Sequence, residues 1–172
     1  MNALKRIAKV IDQTNEWVGK IASWSIIVMM LLVVFEVVSR RIFNSPTIWT
    51  FEITTMVFAF HFMMVAAYGL LHKVMVSVDL LYEKFSKKKQ AVIDLITYLL
   101  FFMPFVVGVF VGSSKFAYIS WLQKEVSWTA FAPPVYPFKA IIPVAFFFLL
   151  LQGISEILKR IAILGEREQG HD

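Results

Sequence analysis

Ionisable side chains in the middle of long apolar segments are the first candidates for chemistry in this chain. In membrane proteins such groups bind ions, relay protons or hold substrates. Three of the four long apolar segments contain a carboxylate, Glu36, Asp94 and Glu156, and each lies at least six residues from its segment's centre. Six residues of helix correspond to about 10 Å. Only His61 lies near a midpoint, so little chemistry is predicted inside the apolar core.

The four segments are each long enough to cross a bilayer, since about 20 helical residues span a hydrocarbon core of about 30 Å. Hydrophobic residues make up 59% of the chain and its mean hydropathy is +0.71, above the range of ordinary soluble domains. We predict an all-α integral membrane protein with one four-helix transmembrane domain over residues 21–160. The predicted spans are Ile21–Val38, Ile53–Leu71, Ala91–Ser113 and Ala140–Leu158.

The distribution of charge predicts the orientation of these spans. The formal net charge is +5, and 12 of the 17 basic residues lie before the first span, between the second and third, or after the fourth. These three regions share one side of a four-span protein. The positive-inside rule therefore places both termini in the cytoplasm. The basic surplus is explained by topology and lipid headgroups, and no nucleic-acid partner is expected.

Two segments outside the spans are predicted to lie on the membrane surface. Residues 1–20 repeat apolar side chains at helical spacing, with charged residues between them, which is typical of an amphipathic interfacial helix. A loosely ordered arm is the alternative. The segment Val74–Phe85 mixes apolar and polar residues without spanning length. Residues 161–172 are predicted to form a polar cytoplasmic tail.

Polar residues near the span ends allow two interpretations. Glu36 and Arg40 are four residues apart, so they can form a local ion pair on one helix face or a docking contact. Glu52 suits the positive end of a helix dipole. Gln152, Glu156 and Arg160 follow one another at helical spacing, and we expect local pairing there with one interhelical hydrogen bond.

The third span and the segment after it carry the remaining candidates. Pro104 should disturb the helix, and Gly108 with Gly112 permits close helix packing. The external segment Ser114–Lys139 contains three prolines and several aromatic residues, and its second half cannot form a regular helix. Its composition suits a surface at headgroup level or facing a partner.

Enzymatic chemistry is not predicted. The sequence has no cysteine, no phosphate-binding glycine-rich loop, no GxSxG elbow and no HExxH motif. His61 and His72 would lie about 16 Å apart along one helix, which argues against a membrane haem. His61 is predicted to be a neutral histidine bonded within the helix bundle. We expect no cofactor.

The order of several loose motifs resembles the small membrane subunit of tripartite ATP-independent periplasmic (TRAP) transporters, the DctQ-like family. The similarity extends from about Ile11 to Leu164. The similar pieces are Phe35–Arg40, Trp49–Ile53, Gly69–Leu81 with His72, Val76 and Asp79, and Ser127-Trp128 followed by Pro133 and Pro137.

The resemblance implies a bacterial inner-membrane protein with partners. In that family a soluble periplasmic protein captures an organic acid, and a large membrane subunit with sodium sites transports it by an elevator motion. The small subunit is part of the static scaffold. The resemblance implies that interface residues here lie near the two membrane surfaces. These candidates are Glu36, Arg40, Arg41, Trp49, Glu52, Asp79, Trp128, Pro133, Pro137 and Lys139.

Two rival functions remain open at the level of sequence. The chain could be an independent four-helix transporter or channel, which predicts uptake by the purified chain alone. It could also anchor a redox complex, which predicts a haem absorbance band or a co-purifying oxidoreductase.

Overall fold

The structure, a computed structural model, describes residues 2–74 and 85–168. Within this part, four helical segments are long and apolar enough to cross a membrane, so the predicted all-α, four-span architecture is confirmed. A π-helical turn, Tyr98–Phe102, joins the fourth and fifth helices. The helices are α1 Asn2–Ser23, α2 Ser25–Arg41, α3 Thr50–Leu71, α4 Lys87–Thr97, α5 Met103–Gln123 and α6 Tyr136–Glu168.

The spans form an open row and not a closed ring. Helix α2 packs mainly on α3, α3 on α6, and α6 on α5, while α6 also contacts α1 and α4. Because α2 packs mainly on one neighbour, none of its residues is buried in the described chain. The connections 42–49 and 124–135 lie on the same side of the row, here called the loop side. The opposite side, which holds the N-terminus, is called the termini side.

Helix α1 packs between α3 and α6 on the termini side. Its packing face carries small and polar residues at spacings of three and four, which suits close contact between helices. These residues are Ala8, Asp12, Asn15, Gly19 and Ala22. Another face of α1 is apolar and exposed, and it carries Ile7, Val10, Trp17 and Ile21. The location of α1 at the membrane interface stays a prediction.

His61 lies against the break between α1 and α2. The helix is interrupted at Trp24, which leaves the Ala22 carbonyl outside the regular ladder. The Ser25 hydroxyl donates to this carbonyl at 2.6 Å, and His61 Nδ1 lies 2.9 Å from Ser25 Oγ. His61 is therefore bonded within the bundle, as predicted. It supplies a polar partner where apolar surroundings would leave backbone groups unsatisfied.

The disturbance predicted at Pro104 takes the form of the π-helical turn just before it. Met103 N–H bonds to the Tyr98 carbonyl, one residue further back than in an α-helix. Pro104 is the second residue of α5, where its missing N–H is tolerated. The turn places Phe102 and Met103 against Gly153 of α6, where an added Cβ would lie 2.5 Å from Phe102 Cε1. Here a glycine permits close packing of two segments.

The helices extend beyond the predicted spans. The external segment predicted from Ser114 is helical as far as Gln123, and α6 begins at Tyr136. The prediction of a long external loop was wrong in length, because a helix continues beyond the apolar stretch where its backbone bonds remain satisfied. Helix α6 also continues to Glu168, into the segment predicted as a tail. Asp79 lies outside the described residues.

Candidate functional site

The corner between α2 and α3 holds the first group of predicted interface residues. Glu36 accepts hydrogen bonds from Arg40, at 2.7 Å from Nη2 and 3.2 Å from Nε. The Thr47 hydroxyl also bonds to the Glu36 carboxylate, and it contacts the Thr50 hydroxyl. The local ion pair predicted from the spacing of Glu36 and Arg40 is therefore confirmed. A docking role for the pair stays a prediction.

The remaining residues of this corner differ in how they are engaged. Trp49 immediately precedes α3, and its ring centroid lies 5.8 Å from that of Phe35. Glu52 lies in the first turn of α3, where the helix dipole favours an acid. Arg41 is exposed. Within residues 2–74 and 85–168, neither Arg41 nor Glu52 has an ion-pair partner, and their contact with another molecule stays a prediction.

The connection between α5 and α6 holds the second group. Lys139 Nζ lies 2.5 Å from Glu125 Oε2 and 4.1 Å from the centroid of the Phe116 ring. Pro133 is buried and Pro137 is the second residue of α6. Trp128 is fully exposed, with a relative accessibility of 101%. No local pattern in the sequence pointed to the partner of Lys139, because Glu125 is 14 residues away.

Acidification should loosen this connection. The hydrogen bond from Lys139 holds the pKa of Glu125 below its ordinary value of 4.5. A lowered pKa means that the ionised form stabilises the fold, so the contribution is complete above pH 4.5 and is lost as the pH falls through the lowered value. A nitroxide on Ser127→Cys should become more mobile as the pH falls below 4.5 and Glu125 becomes protonated. In the Glu125→Gln variant the same nitroxide should already be mobile at neutral pH. In the control variant Glu52→Gln it should not be. Equal mobility in all three proteins would contradict the role of this pair.

The glycines predicted to allow helix packing lie on an open face of α5. A Cβ added at Gly108 or Gly112 would meet nothing within 4 Å in the described chain. Both residues are exposed. Packing at this pair would therefore have to involve another molecule, and it stays a prediction.

The termini side carries a polar network that joins α1 to α6. Asn15 Nδ2 donates to Gln152 Oε1 at 2.7 Å, and Gln152 Nε2 donates to Asp12 Oδ1 at 3.1 Å. The Ser155 hydroxyl donates to the same Asp12 oxygen at 2.7 Å. Gln152 and Ser155 are completely buried. Buried polar groups in apolar surroundings need such partners, so this network defines how α1 is seated.

Charged residues extend the network along α6. Lys159 Nζ lies 2.8 Å from Asp12 Oδ2 and 2.7 Å from Glu156 Oε1. Arg160 Nε lies 3.1 Å from Asp94 Oδ2 on α4. The predicted local pairing of Glu156 is present. A single interhelical hydrogen bond was also predicted, whereas several join α6 to α1. The missed residues Asp12, Asn15 and Ser155 follow spacings of three and four with their neighbours, a signal that was available in the sequence.

Most of the charged groups at these positions are paired with one another. In the described segments, no three His, Asp or Glu side chains are grouped so that they could hold a metal ion. The bonded carboxylates lie towards the ends of the spans, and the apolar sides of α2 and α5 are open. These features define a multi-pass membrane protein.

Comparison with known proteins identifies the family. The family model described as the DctQ component of tripartite ATP-independent periplasmic transporters matches residues 29–162. The chain therefore belongs to the DctQ family, a family of transporter components and not of enzymes, whose members are small subunits of TRAP transporters. No curated protein sequence matches the chain significantly.

Proposed function

We propose that this chain is the small membrane subunit of a Na⁺-driven TRAP transporter for organic acids, in which it stabilises a large elevator-type subunit. The observation that carries this proposal is the open row of spans. Helix α2 has no buried residue, and most large apolar side chains of α2 and α5 are exposed. An elevator domain moves relative to a part that stays still, and a row of helices added to the large subunit widens that part.

The polar network supports a scaffolding role. It joins α1 to α6 through hydrogen bonds of 2.7 and 3.1 Å, and α4 to α6 through an ion pair at 3.1 Å. A rigid attachment of α1 would hold the subunit at one depth, with the exposed apolar face of α1 towards the lipid. Both termini are proposed to be cytoplasmic, because most basic residues lie on that side. The loop side then faces the periplasm, where Arg40, Arg41, Trp49 and Glu52 can contact the binding protein.

Purification in mild detergent tests the proposal. We expect the tagged chain to retain a larger membrane protein in a 1:1 complex. In proteoliposomes, uptake should require the large component, the soluble binding protein and an inward Na⁺ gradient. Uptake by the chain alone would support an independent transporter, and a haem band or bound oxidoreductase would support a redox anchor. Either outcome, or a chain that purifies alone, would overturn the proposal.

Orientation can be measured directly because the chain has no cysteine. A single cysteine at Ser45 on the loop side should react with a membrane-impermeant maleimide added to intact spheroplasts. A single cysteine at Lys5 should react only after permeabilisation. The reverse pattern would contradict cytoplasmic termini.

A further inference from the structure

The connection between α5 and α6 is an ordered hairpin. Lys124 directly follows the end of α5 and adopts the left-handed conformation with φ of 45°. Val126 and Pro134 then form an antiparallel bridge. Ser127 N–H donates to the Pro133 carbonyl at 2.9 Å, and Val135 N–H donates to the Glu125 carbonyl at 2.9 Å. The bonds between the two arms hold the hairpin in one conformation.

The tip of the hairpin is also bonded internally and presents apolar side chains. Ala132 N–H donates to the Thr129 carbonyl at 3.1 Å, and the Ser127 and Thr129 hydroxyls lie 3.0 Å apart. Trp128 lies between these two residues in the chain and is fully exposed, and Phe131 is 43% exposed. A large aromatic side chain on a preorganised turn costs little entropy to bind. Tryptophan is also among the commonest residues that dominate binding energy at interfaces.

The position of the hairpin favours a protein partner over a lipid surface. Gln123 lies ten residues beyond Ser113, the predicted end of the third span, which is about 15 Å of helix. On the other arm, Tyr136 lies four residues before Ala140, about 6 Å. One headgroup layer is only about 5 to 8 Å thick. With span ends at Ser113 and Ala140 as predicted from the sequence, the hairpin starts at the outer edge of this layer and its tip lies beyond it.

We propose that Trp128 is the anchor by which this subunit holds the soluble binding protein of its transporter. The inference rests on the proposed function, and it adds the residue and the recognition chemistry. Trp128 fills an apolar pocket on the binding protein. Lys124 is exposed at the base of the hairpin and has no ion-pair partner in the described residues, so acidic residues are expected at the rim of that pocket. Glu125 and Lys139 hold the hairpin in position.

Binding of the purified binding protein to the membrane complex in nanodiscs tests the anchor. Trp128→Ala should weaken the affinity by roughly 10- to 100-fold, mainly through faster dissociation. Lys124→Glu should slow association and reverse the salt dependence of the rate. Trp17→Ala is the matched control, because Trp17 is 69% exposed but lies on α1. The affinity of this variant complex for the binding protein should be unchanged. A dye on Ser127→Cys should be protected on binding, whereas one on Ser45→Cys should not.

The outcomes separate the anchor from the proposed function. The large membrane component should co-purify with Trp128→Ala as with the unmodified chain. If that complex forms but Trp128→Ala binds the soluble protein normally, the anchor is wrong and the proposed function stands. If no complex forms with the unmodified chain, the proposed function fails first. Quenching of the Ser127→Cys dye by brominated lipids would show that the tip lies in the membrane, which would also overturn the anchor.

Discussion

Replacing Gly19 by leucine is expected to separate α1 from the rest of the protein. A Cβ at this position would lie 2.4 Å from Tyr68 Cβ and 2.5 Å from its Cγ. These atoms are close to the backbone of α3, so rotation of the Tyr68 side chain cannot make room and the helices must move apart. Overpacking typically costs about 1–3 kcal/mol. The movement would also break the contact between Glu16 and His72, which lie 2.6 Å apart.

Thermal unfolding of the purified chain in mild detergent measures this effect. Gly19→Leu should lower the midpoint strongly, and Gly19→Ala should lower it less. Gly108→Leu is the matched control, because nothing lies within 4 Å of a Cβ at Gly108, and the midpoint of the isolated chain should hardly change. Equal loss in both leucine variants would show that the close approach of α1 and α3 is not the cause.

The same control variant tests the predicted packing at Gly108 and Gly112. Within the described chain this face of α5 is open, so a defect of Gly108→Leu that appears only in the assembled transporter would mean that the pair packs on another subunit. No defect in either state would show that the face contacts lipid. The glycine spacing alone could not distinguish these cases, because it permits close approach without specifying a partner.

The sequence predicted the membrane architecture well because apolar length is a strong signal. Each of the four predicted spans falls within a helical segment that is long and apolar enough to cross a bilayer. The helix ends were harder to predict. A helix can continue past its apolar stretch, as α5 does to Gln123, because its backbone groups bond to one another in water as well as in lipid. The pair of Glu36 and Arg40 was predictable because both residues share one helix.

Contacts between distant parts of the chain were harder to predict. Asn15 and Gln152 are 137 residues apart and Glu125 is 14 residues from Lys139, so no local pattern joins them. The open row was also not predictable, because hydrophobicity does not tell lipid-facing from protein-facing positions. What the sequence did contain is the run of small and polar residues along α1. We predicted a helix lying on the membrane surface and did not predict that this face packs on α6.

The second large effect is expected at Gln152, where α1 and α6 are joined. Its side chain accepts from Asn15 at 2.7 Å and donates to Asp12 at 3.1 Å. Asn15 is 1% exposed and its Oδ1 has no hydrogen-bond partner among the described atoms. Asn15 Nδ2 donates two hydrogen bonds, and the one to Gln152 is the shorter. Gln152→Ala would therefore remove this bond from a side chain whose Oδ1 already lacks a partner. We expect a loss of about 1–3 kcal/mol in the free energy of unfolding.

A double-mutant cycle with Asn15→Ala separates the hydrogen bond from general loss of packing. If the two side chains act on each other, the double variant should lose less stability than the sum of the single variants, by about 0.5 kcal/mol or more. Gln13→Ala is the control, because Gln13 is exposed on α1 and should change stability little. Strict additivity would mean that the bond contributes nothing beyond packing.

The same substitution links the fold to the proposed scaffold. If α1 holds the subunit at a fixed depth, Gln152→Ala should lower the thermal stability of the assembled transporter and its uptake rate together. Substrate binding by the separate soluble protein should not change, because that protein does not contain the network. A transporter that keeps full uptake while α1 is loosened would show that the network only stabilises this subunit. Rigidity of α1 would then have no part in transport, and the open row alone would have to account for the scaffold.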